Sequence, residues 1–258
     1  MGVTELSPYI SYPITVLWIV GITNAFNLID GLDGLAAGVS SISSLSLFFI
    51  SLLTPIVGPF SCIITASLAG ATLGFLPFNF NPAKIFMGST GAYFLGFVLA
   101  FISVEGMFKS YAAISIAIPI LSLGLPLFDT IFAIIRRLLH GKPIMASDRG
   151  HLHHKLMDMG LSQKQSVIIL YIASAALGLC AIVLTDKGAL SAVILLILTS
   201  AFIIAGAKYM TEFTSKVDDI ELTISDEENL RNKNDKKTND SSSFSKLSMN
   251  VLKKADNH

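Results

Sequence analysis

The sequence predicts an all-α integral membrane protein of about seven transmembrane helices whose cytoplasmic loops form a site. Three observations predict it. Only 14% of the 258 residues are charged, against about 25% in soluble domains, while 52% are hydrophobic and mean hydropathy is +0.67. The apolar residues come in blocks of roughly 18 to 25, the length that crosses a bilayer as helix. The polar breaks between blocks alternate between motif-rich and motif-poor. Formal net charge is zero, and no basic stripe points to nucleic acid as a partner. Cys62 and Cys180 lie inside apolar runs and read as buried thiols. No secretory signal pattern is present, since Glu5 and no Lys or Arg precedes the first apolar run.

The spans fall at about 9–28, 35–54, 59–78, 91–105, 111–138, 166–185 and 189–209. The fourth is short and Gly-rich. After the first span comes Asn24-Ala25-Phe26-Asn27-Leu28-Ile29-Asp30-Gly31-Leu32-Asp33-Gly34-Leu35-Ala36. After the third comes Phe78-Asn79-Phe80-Asn81-Pro82 through Lys84-Ile85-Phe86-Met87-Gly88-Ser89-Thr90-Gly91. After the fifth comes a basic loop, Arg136 to Lys164, holding Asp148-Arg149-Gly150-His151-Leu152-His153-His154.

By parity these three segments share one membrane face. Lys84, Arg136, Arg137, Lys142, Arg149, Lys155 and Lys164 lie on it, and only Lys109 and Lys187 lie opposite. The positive-inside rule makes the motif face cytoplasmic. The N-terminus then lies outside, before a span that enters the cytoplasm. Earlier spans are expected, making this the C-terminal portion of a longer parent. Residues 1–210 read as the membrane domain. Residues 211–258, rich in Asp, Glu, Lys, Asn and Ser, read as a disordered cytoplasmic tail. Asp218-Asp219 within it is most simply a solvated acidic run.

Each cluster has a chemical reading and a plainer one. Asn24, Asn27, Asp30 and Asp33 place amides and carboxylates at a span end, where a bare acid must be solvated, paired or metal-bound. If helix continues, Asn27, Asp30 and Asp33 share a face. Such hard oxygen donors suit Mg²⁺ or Mn²⁺; the plainer reading is an Asp/Gly helix end and turn. Asn79, Lys84, Phe86, Ser89 and Thr90 combine a Gly-flanked helix start, which offers N–H groups and hydroxyls to an anion, with a cationic point charge; the plainer reading is a capped helix. His151, His153 and His154 with Arg149 suit phosphate or substrate contact better than structural zinc, for no zinc-finger cysteines surround them; the plainer reading is a solvated basic loop. Asp129, inside the fifth span, is either functional or a buried group satisfied by a neighbouring helix.

These three motifs, in this order, resemble the polyprenyl-phosphate N-acetylhexosamine-1-phosphate transferases over about residues 10–210. The Arg149-Gly150-His151-Leu152-His153-His154 form is closer to the N-acetylglucosamine branch than to the muramoyl-pentapeptide branch. The resemblance implies a bacterial plasma-membrane enzyme. It would transfer N-acetylglucosamine 1-phosphate from a UDP-N-acetylhexosamine to undecaprenyl phosphate, as the first lipid-linked step of an envelope polymer such as teichoic acid or lipopolysaccharide. It implies Mg²⁺ (or Mn²⁺), a lipid-bilayer setting and, as a further partner, a second copy in a homodimer. By carry-over, Asp30 serves the reaction centre and metal. Asp33, Asn24, Asn27, Asn79, Lys84, Phe86 and Arg149 serve donor binding, with Asp33 also counted among the catalytic acids. His151, His153 and His154 hold diphosphate or sugar.

Two departures bear on the metal. The family's Phe-Met-Gly-Asp has Ser89 at its metal-ligating Asp, and the family's upstream Asp pair has no counterpart in this chain. An inactive homologue or fragment is therefore the alternative, with weak or no turnover expected. A transporter is a further alternative, but transporters hold ionisable groups near mid-membrane, whereas most acids here lie at one interface.

Overall fold

A computed structural model describes residues 7–54, 59–107, 112–141, 143 and 151–201. The described residues form helices α1 (Pro8–Ile29), α2 (Leu35–Leu53), α3 (Pro59–Asn79), α4 (Gly88–Met107), α5 (Ala112–Ser122), α6 (Gly124–Leu139), α7 (Leu152–Asp158), α8 (Gln163–Lys187) and α9 (Ala189–Ala201). Five of them, α1, α2, α3, α4 and α8, are long and apolar enough to cross a membrane. The protein is an all-α integral membrane protein, as the composition predicts.

The span list needs two corrections. The expected fifth span, 111–138, is two helices broken at Leu123. Pro126 has no N–H for the carbonyl of Ser122, one turn back, so the ladder loses a bond beside the break. The Ser43 hydroxyl on α2 donates to that carbonyl instead, at 2.9 Å. The fourth span is longer than 91–105, because the helix already starts at Gly88 and so takes in Ser89 and Thr90. The seventh is described only to residue 201, and the expected tail, 211–258, lies outside the described residues.

α2 is the central helix, packed along α3 and α8, while α1 packs along α4. The buried face of α2 is rich in small residues, including Ala36, Ala37, Ser40, Ser41 and Ser44. Without a hydrophobic driving force between helices in lipid, close packing of small residues and interhelical hydrogen bonds take over. Gly38 lies directly under the Tyr171 ring of α8, where a Cβ would have no room. The Ser41 and Thr72 hydroxyls bond across α2 and α3 at 2.8 Å, and Trp18 donates to Ser103 across α1 and α4 at 2.9 Å. Apolar packing of Ile22, Phe26, Leu35, Val39, Leu99, Leu123 and Val167 fills the middle. The outward faces carry exposed apolar groups such as Leu17, Ile63, Phe94 and Ile172, as lipid-facing surfaces do.

Candidate active site

The acidic motif is a turn. α1 stops at Ile29, and Asp30, its C-cap, opens a non-helical stretch to Gly34. Asn27, Asp30 and Asp33 therefore do not share a helical face, contrary to the helix-continuation expectation. Gly34 sits at φ 82°, left-handed backbone that favours glycine, and it starts α2. A Cβ there would also press on the Phe80 ring at 3.1 Å.

This turn is pinned from three sides. The Gly34 N–H donates to Asn79 Oδ1 at 3.1 Å, and the Tyr171 hydroxyl donates to the Gly34 carbonyl. Asn79 Nδ2 donates to the Ile85 carbonyl at 3.0 Å, which holds the loop between α3 and α4 in place. Asp33 Oδ2 accepts from Asn81 Nδ2 at 3.0 Å and from the Ala83 N–H at 3.1 Å. Asn81 Nδ2 also donates to Gln163 Oε1 at 2.9 Å, so α8 joins the same brace. α8 itself begins with a reciprocal Ser162–Gln165 capping box, which fixes where Gln163 stands.

The turn and the α3–α4 loop enclose a cavity of about 360 Å³, within the size range of small-molecule sites. Asp30, Asp33, Asn79, Phe86, Gly88 and Ser89 are among its lining residues. Phe86 is 75% exposed, an aromatic ring standing free at the cavity. The first turn of α4 borders it with Gly88 and Ser89, where helix N–H groups lack intrahelical partners. Phe86 and Met87 also wall an apolar groove of about 240 Å³ between α3 and α4.

Asp30 differs from Asp33. Among the described residues no donor reaches its carboxylate, and burial pushes its carboxyl up from 3.8 to about 6. A half-buried acid in this condition gains from a cation or a donor beside it.

The histidines enter from α7. His153 is buried against Gly31: a Cβ on Gly31 would come within 2.7 Å of His153 Nε2, so only glycine lets the two meet. His153 stacks on His151 at 5.8 Å between ring centroids and tilts onto His154 at 4.2 Å. Burial first, then the neighbouring His154, hold the His153 imidazole down at about 4, so it is neutral near pH 7. Asp129 Oδ2 accepts from His151 Nδ1 at 2.8 Å, and its Oδ1 accepts from the Leu152 N–H, also at 2.8 Å.

Thus the three sequence motifs do converge. Asp30, Asp33, Asn79, Phe86 and Ser89 share the cavity, and His153 reaches its rim at Gly31. The remaining candidates stand apart. Asn24 is exposed and donates back to the Val20 carbonyl at 2.8 Å. Asn27 is half-buried on the last turn of α1, and Lys84 is exposed, with its backbone N–H on the Phe78 carbonyl. His151 and His154 flank His153, their rings against its ring. Arg149 lies outside the described residues. Sequence reasoning gave no role to Asn81, Gln163 or Tyr171. Asn81 stands inside the Phe78–Gly91 motif, where its amide is a visible polar group of the convergent loop. Gln163 and Tyr171 carry no local signal.

The donor set suits only part of a metal shell. Among the described residues no three His, Cys, Asp or Glu side chains form a metal-holding group. Asp30 and the Ser89 hydroxyl would fit an ion such as Mg²⁺ that keeps waters and takes phosphate oxygens for the rest.

Comparison with known proteins agrees with the motifs. The pattern of "Glycosyl transferase family 4" matches residues 1–107. A Bacillus subtilis (strain 168) protein named "Probable undecaprenyl-phosphate N-acetylglucosaminyl 1-phosphate transferase" is 50% identical over 178 residues, 68% of this chain and 49% of that protein. The decaprenyl-phosphate N-acetylglucosaminephosphotransferase of Mycolicibacterium smegmatis (strain ATCC 700084 / mc(2)155) is 33% identical over 207 residues, 73% of this chain and 51% of its own length. The undecaprenyl-phosphate alpha-N-acetylglucosaminyl 1-phosphate transferase of Thermotoga maritima (strain ATCC 43589 / DSM 3109 / JCM 10099 / NBRC 100826 / MSB8) is 35% identical over 142 residues, 54% of this chain and 40% of its own length. The chain spans about half the length of the curated relatives it matches first. The ordered motifs and these matches agree that the chain belongs to glycosyl transferase family 4, and the relatives it matches are named as polyprenyl-phosphate N-acetylglucosamine-phosphate transferases.

Proposed function

We propose that this chain carries the donor and phosphate site of a transferase that moves N-acetylglucosamine 1-phosphate from UDP-N-acetylglucosamine to undecaprenyl phosphate. The observation that carries the reading is the one cavity lined jointly by the Asp30–Asp33 turn and the Phe86–Ser89 segment at the ends of spanning helices. A soluble nucleotide and a membrane-held phosphate can both reach such a place. In the reaction an oxygen of the lipid phosphate forms a bond to the β-phosphorus of the donor. The bond from that phosphorus to the bridging oxygen breaks, and UMP leaves with the electron pair.

Phe86 offers an exposed ring for the uracil to stack on. Ser89 and the first N–H groups of α4 face the diphosphate, whose charge the helix N-terminus favours. Asp30 is the acid at the reaction centre and the holder of Mg²⁺, which when bound supplies charge neutralisation at the diphosphate. Asn79 and Asp33 keep the two walls in register through the hydrogen bonds already described. His153 closes the rim over Gly31. The excess of lysines and arginines at the motif end supports a site that faces the cytoplasm from a bacterial plasma membrane, on the side where UDP-sugars are found.

Ser89 favours a second reading, a chain that binds donor with little turnover, because a neutral hydroxyl compensates a divalent ion poorly. The test is UMP release from UDP-N-acetylglucosamine with undecaprenyl phosphate in detergent, with Mg²⁺ or with a chelator. Slow, Mg²⁺-dependent release that rises in Ser89→Asp is expected. Donor binding without release in either protein selects the second reading. Uptake of donor into vesicles with no lipid product would overturn both.

A further inference from the structure

Asp129 lies on α6 and, across a sequence gap of 22 residues, holds the start of α7 with both oxygens. It is 4% exposed and His151 is 5% exposed, so water does not compete for the pair. An ionised carboxylate only accepts hydrogen bonds. His151 must therefore carry a proton on Nδ1, which leaves Nε2 as the ring nitrogen free to serve other groups. The second oxygen takes the N–H of Leu152, the first residue of α7. His151, the N-cap, makes no side-chain cap bond of its own, so Asp129 fills that place from another helix. From His151 the stacked rings lead through His153 to Gly31 at the cavity.

We infer that Asp129 is a positioning residue of the transfer site, setting both the seat of α7 and the tautomer of His151 at the far end of the histidine row. The inference rests on the reading of the cavity as the transfer site. It separates two jobs that one carboxylate performs. One oxygen is a helix cap, which an amide oxygen could replace. The other dictates which imidazole nitrogen bears the proton, which an amide reverses.

The full chain, labelled with ¹⁵N at histidine and held in detergent micelles at pH 8, tests this. The His151 resonances, assigned by their loss in His151→Gln, are expected to show a protonated Nδ1 and a bare Nε2. The opposite tautomer overturns the inference without recourse to any Asp129 variant. Asp129→Asn keeps an oxygen for the Leu152 N–H but turns an amide N–H toward Nδ1. The tautomer is then expected to reverse, with unfolding temperature nearly unchanged and kcat for sugar-phosphate transfer in membranes about 10–100-fold lower. A reversed tautomer with undiminished transfer overturns the positioning role, as does an unreversed tautomer in the folded variant. Tautomers that behave as stated in a protein whose wild type releases no UMP leave the pairing intact and overturn the transfer reading.

Discussion

Asp30 and Asp33 stand three residues apart on one turn and line one cavity, yet their surroundings are opposite. Asp33 has an oxygen filled by Asn81 and the Ala83 N–H, and through Asn81 it is tied to Gln163 on α8. Asp30 has no such donor among the described residues, and burial pushes its carboxyl up to about 6. A carboxylate whose hydrogen bonds are met by the protein stabilises the protein. One left bare in a cavity costs stability and keeps its lone pairs for a ligand. The two ends of the turn thus divide architecture from chemistry, and substitutions can pull them apart.

The largest expected effect is Asp30→Asn, which should lower UMP release by about 10²–10³-fold. It should not lower stability. The unfolded chain ionises this acid near 3.8 and the folded one near 6, so folding is disfavoured increasingly as pH rises between those values and fully above them. Asn removes that penalty, and thermal melts should show a gain at pH 8 and none at pH 3. A loss of stability at pH 8 would give Asp30 the structural part as well.

Next in size is Asp33→Ala. It leaves the Ala83 N–H and one Asn81 bond unmet, at about 1–3 kcal/mol. Melting in detergent should fall, with Asn81→Ala costing less when added to it than alone, as shared partners require. An unshifted melt with abolished turnover would instead make Asp33 the working acid and reverse the comparison.

Gly31→Ala tests the rim between the two acids. The added methyl group meets His153 Nε2 at 2.7 Å and forces the ring off its seat on the turn. Transfer is expected to drop by about 10-fold, at the low end of losses from misplaced supporting groups, while donor affinity, read by calorimetry, changes little. Equal loss in donor affinity would place His153 on the donor rather than beside the transferred phosphate.

The smallest effect is a pH dependence. His153 holds its imidazole near 4 in the folded chain, against 6.5 when unfolded. Its favourable contribution is present above 6.5 and is lost as pH falls from there through 4, because the unfolded chain takes up the proton first. Melts of the wild type should weaken over that window more than those of His153→Gln. Parallel curves would mean the ring is solvated and not seated on Gly31.

The fold class and the convergence of three motifs were legible in the sequence because each rests on a strong local signal. Bilayer-length apolar runs announce helices, and Asp, Gly and His clusters between them announce loops. The break at Leu123 was less legible, since Pro119, Gly124 and Pro126 sit in a run apolar enough to read as one crossing. Only the tertiary partner, Ser43, makes the freed carbonyl affordable there. The division between Asp30 and Asp33 was illegible for the same kind of reason. Both look alike in sequence, and what separates them is an asparagine 48 residues away and a glutamine on another helix. Asp129 was visible as an acid inside a span, but its partner His151 lies beyond a loop that carries no hint of the pairing.

The break at Leu123 also settles a question of reach. An unbroken helix over Ala112–Leu139 would be about 42 Å long at the usual rise, well beyond a hydrocarbon core of about 30 Å. Such a rod must lean or protrude as one piece. Jointed at Leu123, it becomes pieces of about 16 and 24 Å. The longer one, α6, carries Asp129, its grip on the histidine helix.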